Sequence, residues 1–304
     1  MLILGIETSC DETSVALVED GKKELINIVS SQVDVHAEFG GVVPELACRH
    51  HLETINPLLD KAMKESRKSW SDIDAVAVTN GPGLVGAVLI GVAVAKAIAF
   101  SLNVPLIGVN HLEGHIYANY LEEGELYFPS IVILVSGGHT ELILVKGHGE
   151  YEIVGQTRDD AAGEAFDKVA RMLGLGYPGG PVIDKISKTG NASLIKFPRA
   201  MLEDKESLDF SFSGLKTAVV HYLRSSEGSS SEKADVAAAF QEAVADVLVI
   251  KTIRAARKYN VRHVMLAGGV ARNSYLRQEM LERCKVNGVT VHLPAPIYLS
   301  LIHI

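Results

Sequence analysis

His111 and His115 stand four residues apart in Asn110-His111-Leu112-Glu113-Gly114-His115. On a helix that spacing is little more than one turn, a rise of roughly 6 Å, and it puts both imidazoles on one face. Neutral imidazole is the commonest protein ligand for zinc and iron, so the pair is a candidate metal-binding element. Two solvated or capping histidines would show the same spacing. A zinc peptidase of the H-E-x-x-H kind needs its glutamate directly after the first histidine, where it acts as general base. Here Glu113 comes two residues after His111, about 200° around a helix and off the shared face. No third ligand lies close by in sequence, so a metalloendopeptidase is the second reading rather than the first.

A second set of residues has the composition of a nucleotide site. Asp160, Glu164 and Asp167 recur at i, i+4 and i+7, which on a helix places three carboxylates on one face. Uncompensated, they repel one another, a cost explained if ribose hydroxyls or a cation meet them. Asp184, beyond Tyr177-Pro178-Gly179-Gly180-Pro181, is a further candidate for hydroxyl binding. Glycine-containing turns occur at Gly81–Gly83, Ser136–His139 and Gly268-Gly269, and a polar turn at Ser9–Thr13. Glycine lets backbone approach an anion, and a following helix start offers unpaired N–H groups. Ser213-Gly214-Leu215-Lys216-Thr217 resembles the end of a P-loop, but the G-x-x-x-x-G-K frame is missing. Ser213 reads instead as a helix N-cap.

The elements that must position these groups form a pattern that occurs twice. Leu2–Thr8 and Ser14–Glu19 read as strands joined by the turn Ser9–Thr13. Ile131–Val135 and Thr140–Val145 repeat the arrangement around Ser136-Gly137-Gly138-His139. Behind the first hairpin the pattern predicts a helix over 45–68, a strand over 75–79 and a helix over 84–102. Behind the second it predicts a helix over 233–259, a strand over 263–266 and a helix over 274–285. Ser225–Ser231 is a polar loop before the long helix. Two related α/β halves follow from this, with largely covered sheets and a ligand in the cleft between them.

A chain of 304 residues has room for two such domains, and 47% hydrophobic against 22% charged residues excludes general disorder. Cys10, Cys48 and Cys284 are scattered and odd in number, which indicates neither a disulfide framework nor a thiolate zinc site and fits a reducing cytoplasm. The amino terminus lacks a basic region and reaches Glu7 too early for a secretory signal. Leu84–Phe100 is apolar, but Lys96 interrupts it, and its small residues suit a helix buried among other elements rather than a membrane span. A net charge of −8 argues against a surface that grips nucleic acid everywhere, so an RNA substrate would need positive field from a partner.

Several segments taken together resemble one family. They are Gly5–Thr13, Gly40-Gly41-Val42-Val43-Pro44-Glu45-Leu46-Ala47, the His111/His115 segment, Val135–Thr140, Asp160–Lys168 and Phe210-Ser211-Phe212-Ser213-Gly214-Leu215-Lys216-Thr217. In this order the chain is similar to the bacterial tRNA N6-adenosine threonylcarbamoyltransferases (the TsaD/Gcp/YgjD family, once labelled endopeptidases), from Met1 to about Pro294. The resemblance implies two ribonuclease-H-like domains of the actin/Hsp70/sugar-kinase superfamily around a central cleft, over residues 1–128 and 129–304. It implies an acyltransferase that moves threonylcarbamoyl from threonylcarbamoyl-AMP to N6 of adenosine 37 in tRNA and releases AMP. By the same resemblance, His111 and His115 hold one divalent metal, Fe2+ ahead of Zn2+. Leu134, Val135, Ser136, Gly137, Gly138, Asp167, Gly180, Asp184 and Asn273 bind the adenylate, with Asn273 near the base. Asp11 is the carboxylate expected to receive the proton of the attacking amine. A TsaB-like paralogue and a TsaE-like ATPase are the implied partners, in the cytoplasm and without a membrane.

The family pattern continues with a Cys-Thr-Asp-Asn type motif, whose Asp is a third metal ligand, and a closing helix. After Leu293-Pro294-Ala295-Pro296 this chain reads Ile297-Tyr298-Leu299-Ser300-Leu301-Ile302-His303-Ile304, with no acid. The expectation is weaker metal binding and impaired activity. An ATP-binding chaperone-like module accounts for the repeats but leaves the histidine pair without a task.

Overall fold

The strand β1 (Leu2–Glu7) buries Leu2, Leu4 and Ile6 and exposes its alternate residues more, the period-two pattern of a strand on a core. It pairs antiparallel with β2 (Glu12–Glu19), which pairs antiparallel with β3 (Lys23–Ser31). After the short α1 (Val33–Ala37) and the long α2 (Pro44–Ser66), β4 (Ala75–Gly81) joins the other side of β1 in parallel. Then α3 (Val85–Leu102) returns the chain to β5 (Leu106–Asn110), parallel to β4, and α4 (His111–Glu123) follows directly. The computed structural model, which describes residues 1–123, 127–225 and 230–294, thus gives a first sheet in the order β3-β2-β1-β4-β5.

The second half repeats the plan. β6 (Ser130–Val135), β7 (Thr140–Gly147) and β8 (Glu150–Gln156) form the antiparallel part. α5 (Ala162–Met172), α6 (Gly179–Ser187), α7 (Ser213–Ser225) and α8 (Ser230–Lys258) lead to β9 (His263–Ala267), and α9 (Ser274–Val286) to β10 (Thr290–His292). β9 lies parallel to β6, and β10 parallel to β9, so the order β10-β9-β6-β7-β8 matches the first sheet strand for strand. The described residues fall into two compact units, one within Met1–Glu125 and the other within Leu126–Leu293.

The repeat reaches beyond the paired hairpins. Each sheet gains a third antiparallel strand, β3 or β8, and an outer parallel one, β5 or β10. In the first core, Ile55, Leu58, Leu59, Ala62 and Met63 of α2 recur at helical spacing and pack with Leu4, Ile6, Val15, Leu17 and Val76. α3 corrects the expectation of an enclosed helix. Its buried residues are Ala87, Gly91, Ala95 and Ala99, one small residue per turn, whereas Val85, Leu89 and Phe100 are 85%, 64% and 90% exposed. A Cβ at Gly91 would meet Thr8 Oγ1 at 2.4 Å, so the small stripe lets the helix lie close on the end of β1 while its bulky side chains turn outward. By length and composition alone α3 is long and apolar enough to cross a membrane.

Three other expectations change. Asp160 precedes α5 rather than sharing a helix face with Glu164 and Asp167. The acids are also compensated: Asp160 pairs with Lys168 at 2.9 Å and Lys216 at 2.8 Å, and Glu164 with Lys168 at 2.7 Å. Ser213 is not the cap of α7, because Asp159 performs that task across 54 residues. The Asp159 carboxylate accepts from Phe212 N–H at 2.8 Å, Ser213 N–H at 3.2 Å and the hydroxyls of Ser211 and Ser213. Of the polar loop expected over 225–231, Ser225 ends α7 and Ser230 already begins α8, while 226–229 lie outside the described residues.

Candidate functional site

In the first unit the turn after β5 starts α4. Asn110 Oδ1 accepts from Leu112 N–H at 2.8 Å, which satisfies one helix-start donor and sets His111 as the first helical residue. One turn on, His115 is 3% exposed, and its ring meets that of His111 edge to face, with centroids 5.2 Å apart. His111 Nδ1 lies 2.8 Å from Ser9 Oγ and 3.6 Å from Glu7 Oε2. A carboxylate on the Nδ1 side favours the proton there and puts the lone pair on Nε2, the ligating form of a histidine backed by a carboxylate. Burial pushes the Glu7 carboxyl up. The His111 ring, Ser9 N–H and Thr79 O–H outweigh it, and the group is held below the usual carboxylate range.

The chemistry of these two imidazoles suits them to ligate a metal ion. A supported, oriented imidazole stands beside a second one a turn away, although among the described residues no group of three or more His, Cys, Asp or Glu side chains is placed to hold an ion. The tail, including His303, lies outside the described residues, so the expectation of a missing third ligand falls there too. Asp11 sits on the β1–β2 tip, two residues from the Ser9 that contacts His111. A cavity of about 40 Å³ behind this tip is lined by Glu7, Ser14, Thr79 and Gly114 among others.

In the second unit the hairpin tip is bare backbone. Ser136 Oγ accepts from Gly138 N–H and His139 N–H at 3.3 and 3.0 Å, and Ser136 N–H donates to His139 O at 2.8 Å. Leu134 and Val135 are core residues, 0% and 1% exposed, so their side chains do not reach a ligand. Asp167 Oδ1 accepts from Gly179 N–H at 2.7 Å and ties α5 to the start of α6. Asp184 Oδ1 accepts from Ser274 Oγ at 2.8 Å and from Ser274 N–H at 3.2 Å, which ties α6 to the start of α9.

Asn273 is more committed than expected of a base-binding amide. Its Oδ1 caps α9 by accepting from Leu276 N–H at 2.9 Å, and its Nδ2 donates to Gln241 Oε1 at 2.6 Å. Gln241 in turn donates to Ser187 Oγ at 2.9 Å, so Asn273 holds α9 to α8 and α6.

The glycines of this unit divide by what faces them. A Cβ at Gly137, Gly138 or Gly180 would meet nothing within 4 Å, leaving open space where a ligand can approach the backbone. A Cβ at Gly163 would meet Ser136 O at 2.5 Å and Gly137 Cα at 2.8 Å. Gly163→Ala must therefore push the tip away from α5. It is expected to cost about 1–3 kcal/mol in urea unfolding, and an unchanged midpoint would show that the tip yields without consequence.

Sequence reasoning did not assign Glu7, Ser9 or Thr79 to this site: Glu7 and Ser9 contact His111 from 104 and 102 residues away in the numbering, and Thr79 donates to Glu7. The available signal was Glu7 itself, an acid ending the apolar strand Leu2-Ile3-Leu4-Gly5-Ile6.

Residues 23–302 match the family model described as TsaD: tRNA N6-adenosine threonylcarbamoyltransferase. Proteins of that name from Clostridium novyi (strain NT) and Clostridium botulinum (strain 657 / Type Ba4) are 53% and 55% identical, over 97% and 96% of this chain and 87% and 86% of theirs. Among solved structures, component A of the (R)-2-hydroxyglutaryl-CoA dehydratase of Acidaminococcus fermentans matches with a TM-score of 0.56 at 16% identity, over 100% of this chain and 96% of that one. This last likeness concerns the fold alone, an α/β plan with two five-stranded sheets. By identity across nearly its whole length, the chain belongs to the tRNA N6-adenosine threonylcarbamoyltransferase family.

Proposed function

We propose that the protein transfers the threonylcarbamoyl group of threonylcarbamoyl-AMP to N6 of adenosine 37 in tRNA and releases AMP. The observation that carries this reading is the 53–55% identity to transferases of that name. The second unit takes the adenylate. Backbone N–H groups of the Ser136–Gly138 tip and of the α6 start at Gly180 meet the phosphate. Asp167 and Asp184 meet the ribose hydroxyls, while Asn273 fixes the start of α9.

In the first unit, His111 and His115 would hold one divalent ion, Fe2+ ahead of Zn2+, which when bound supplies Lewis-acid polarisation of the carbamoyl carbonyl. Attack by N6 forms the new C–N bond while the bond from the carbamoyl carbon to the phosphate oxygen breaks, and AMP leaves with that electron pair. Asp11 accepts the proton given up by the amine. Glu7 and Ser9 keep the His111 ring in its ligating orientation.

The partners in this reading are tRNA, a TsaB-like paralogue and a TsaE-like ATPase. The outward apolar side chains of α3 offer the paralogue a surface, and with this chain at −8 the positive field for tRNA comes largely from partners. The cytoplasm, where tRNA is found, is the proposed location. Incubation of the protein and its partners with threonylcarbamoyl-AMP and unmodified tRNA, followed by mass spectrometry of the digested nucleosides, should yield threonylcarbamoyladenosine and one AMP per transfer. Peptide cleavage without nucleoside modification would overturn the reading in favour of the endopeptidase.

A further inference from the structure

The β1–β2 tip is held through three consecutive carbonyls, each by a different element. Ser9 O accepts from Leu84 N–H at 2.8 Å, ahead of α3, and Asp11 O accepts from Gln32 N–H at 3.0 Å, just after β3. Cys10 O, between them, accepts from His51 Nε2 at 2.9 Å. The first two donors are main chain and survive any substitution except proline. The third is a side chain, on α2 and 41 residues away.

His51 is 0% exposed, and its other nitrogen lies 2.7 Å from Thr13 Oγ1, at the far side of the same tip. Because Cys10 O can only accept, Nε2 carries the proton. Nδ1 then receives the Thr13 hydroxyl proton, and one neutral ring clamps residues 10 and 13 from below. Burial holds this imidazole below its ordinary pKa, in keeping with the uncharged form. Gln32, whose backbone N–H holds Asp11 O, has its own side chain fixed by His36 Nε2 at 3.2 Å, and His36 is also 0% exposed.

We propose that His51 is a positioning residue for the transfer reaction, setting the Ser9–Thr13 tip and with it the Asp11 carboxylate and the Ser9 contact to His111. It rests on the transferase reading above and adds a residue that never meets the substrate. A tip displaced by about 1 Å would leave the adenylate bound and the proton acceptor misplaced, an error that can cost on the order of a hundredfold in rate.

The test compares His51→Gln with His51→Asn, which are close in size and separate the two nitrogens. A glutamine amide reaches the Nε2 position and can donate to Cys10 O, whereas an asparagine amide reaches only the Nδ1 position. For His51→Asn, kcat should fall by about tenfold or more with KM for threonylcarbamoyl-AMP within about twofold, and His51→Gln should recover to within about threefold of the parent. Hydrogen exchange of the peptide spanning residues 8–14 should quicken in the Asn variant and not in the Gln variant. Equal rates and equal exchange in the two variants would overturn the proposal, as would a loss confined to KM. If the parent protein transfers nothing, the transferase reading fails, and the exchange comparison still decides whether His51 holds the tip.

Discussion

His111→Ala or His115→Ala should reduce transfer at least about a thousandfold, because each removes one of the two ligands proposed on α4 and with it the polarisation of the acyl carbonyl. The two variants should also lose bound metal, measured by inductively coupled plasma mass spectrometry after gel filtration. Treating the parent protein with a chelator should reproduce the loss, and adding back Fe2+ should restore the parent and neither variant. His115 is buried against the His111 ring, so its replacement needs a thermal-melt control, whereas His111 is supported chiefly by polar neighbours and its loss should leave the fold intact. A His111→Ala protein with parental metal content and rate would dismiss the assignment. Glu7→Gln tests the layer behind: it preserves shape but removes the charge facing Nδ1, and a smaller fall of about 10–100-fold in metal affinity is expected.

Asp11→Asn should lower kcat by about 10²–10⁴ while leaving AMP affinity unchanged, since the amide cannot take the proton of N6 and the proposed reading assigns Asp11 no contact with the adenylate. Asp11 O still accepts from Gln32 N–H in the variant, so tip geometry is preserved and the deficit reports on the carboxylate. Single-turnover transfer with a saturating donor measures it. Retention of the full rate would remove Asp11 from the reaction, whether as proton acceptor or as a group ordering water on the metal.

The hairpins and the helices behind them were legible because strands rich in β-branched residues and bounded by glycine turns declare themselves locally. Their repetition was legible for the same reason. β3, β5 and β8 were not. Lys23–Ser31 and Glu150–Gln156 mix exposed and half-buried residues without clean alternation, and Leu106–Asn110 is short. The shared face of His111 and His115 could be read from spacing, yet what orients the His111 ring comes from Glu7 and Ser9, more than 100 residues earlier. Contacts at such separations leave no periodic trace. The same holds for Asp159, whose capping of α7 was credited to Ser213 because a cap is sought beside its helix. α3 shows the opposite failure: its small residues suggested a helix enclosed among other elements, whereas they form one buried stripe and the bulky side chains face outward.

The matched strand orders mean that Ser9–Thr13 and Ser136–His139 occupy equivalent ledges on two copies of one scaffold. The first ledge carries a side chain at every position; the second has two central glycines between Ser136 and His139. Tolerance to mutation should divide accordingly. At Gly137 and Gly138 an added methyl troubles no neighbour and is felt only by a visitor, whereas at Ser9 and Thr13 the neighbours themselves, His111 and His51, register the change first.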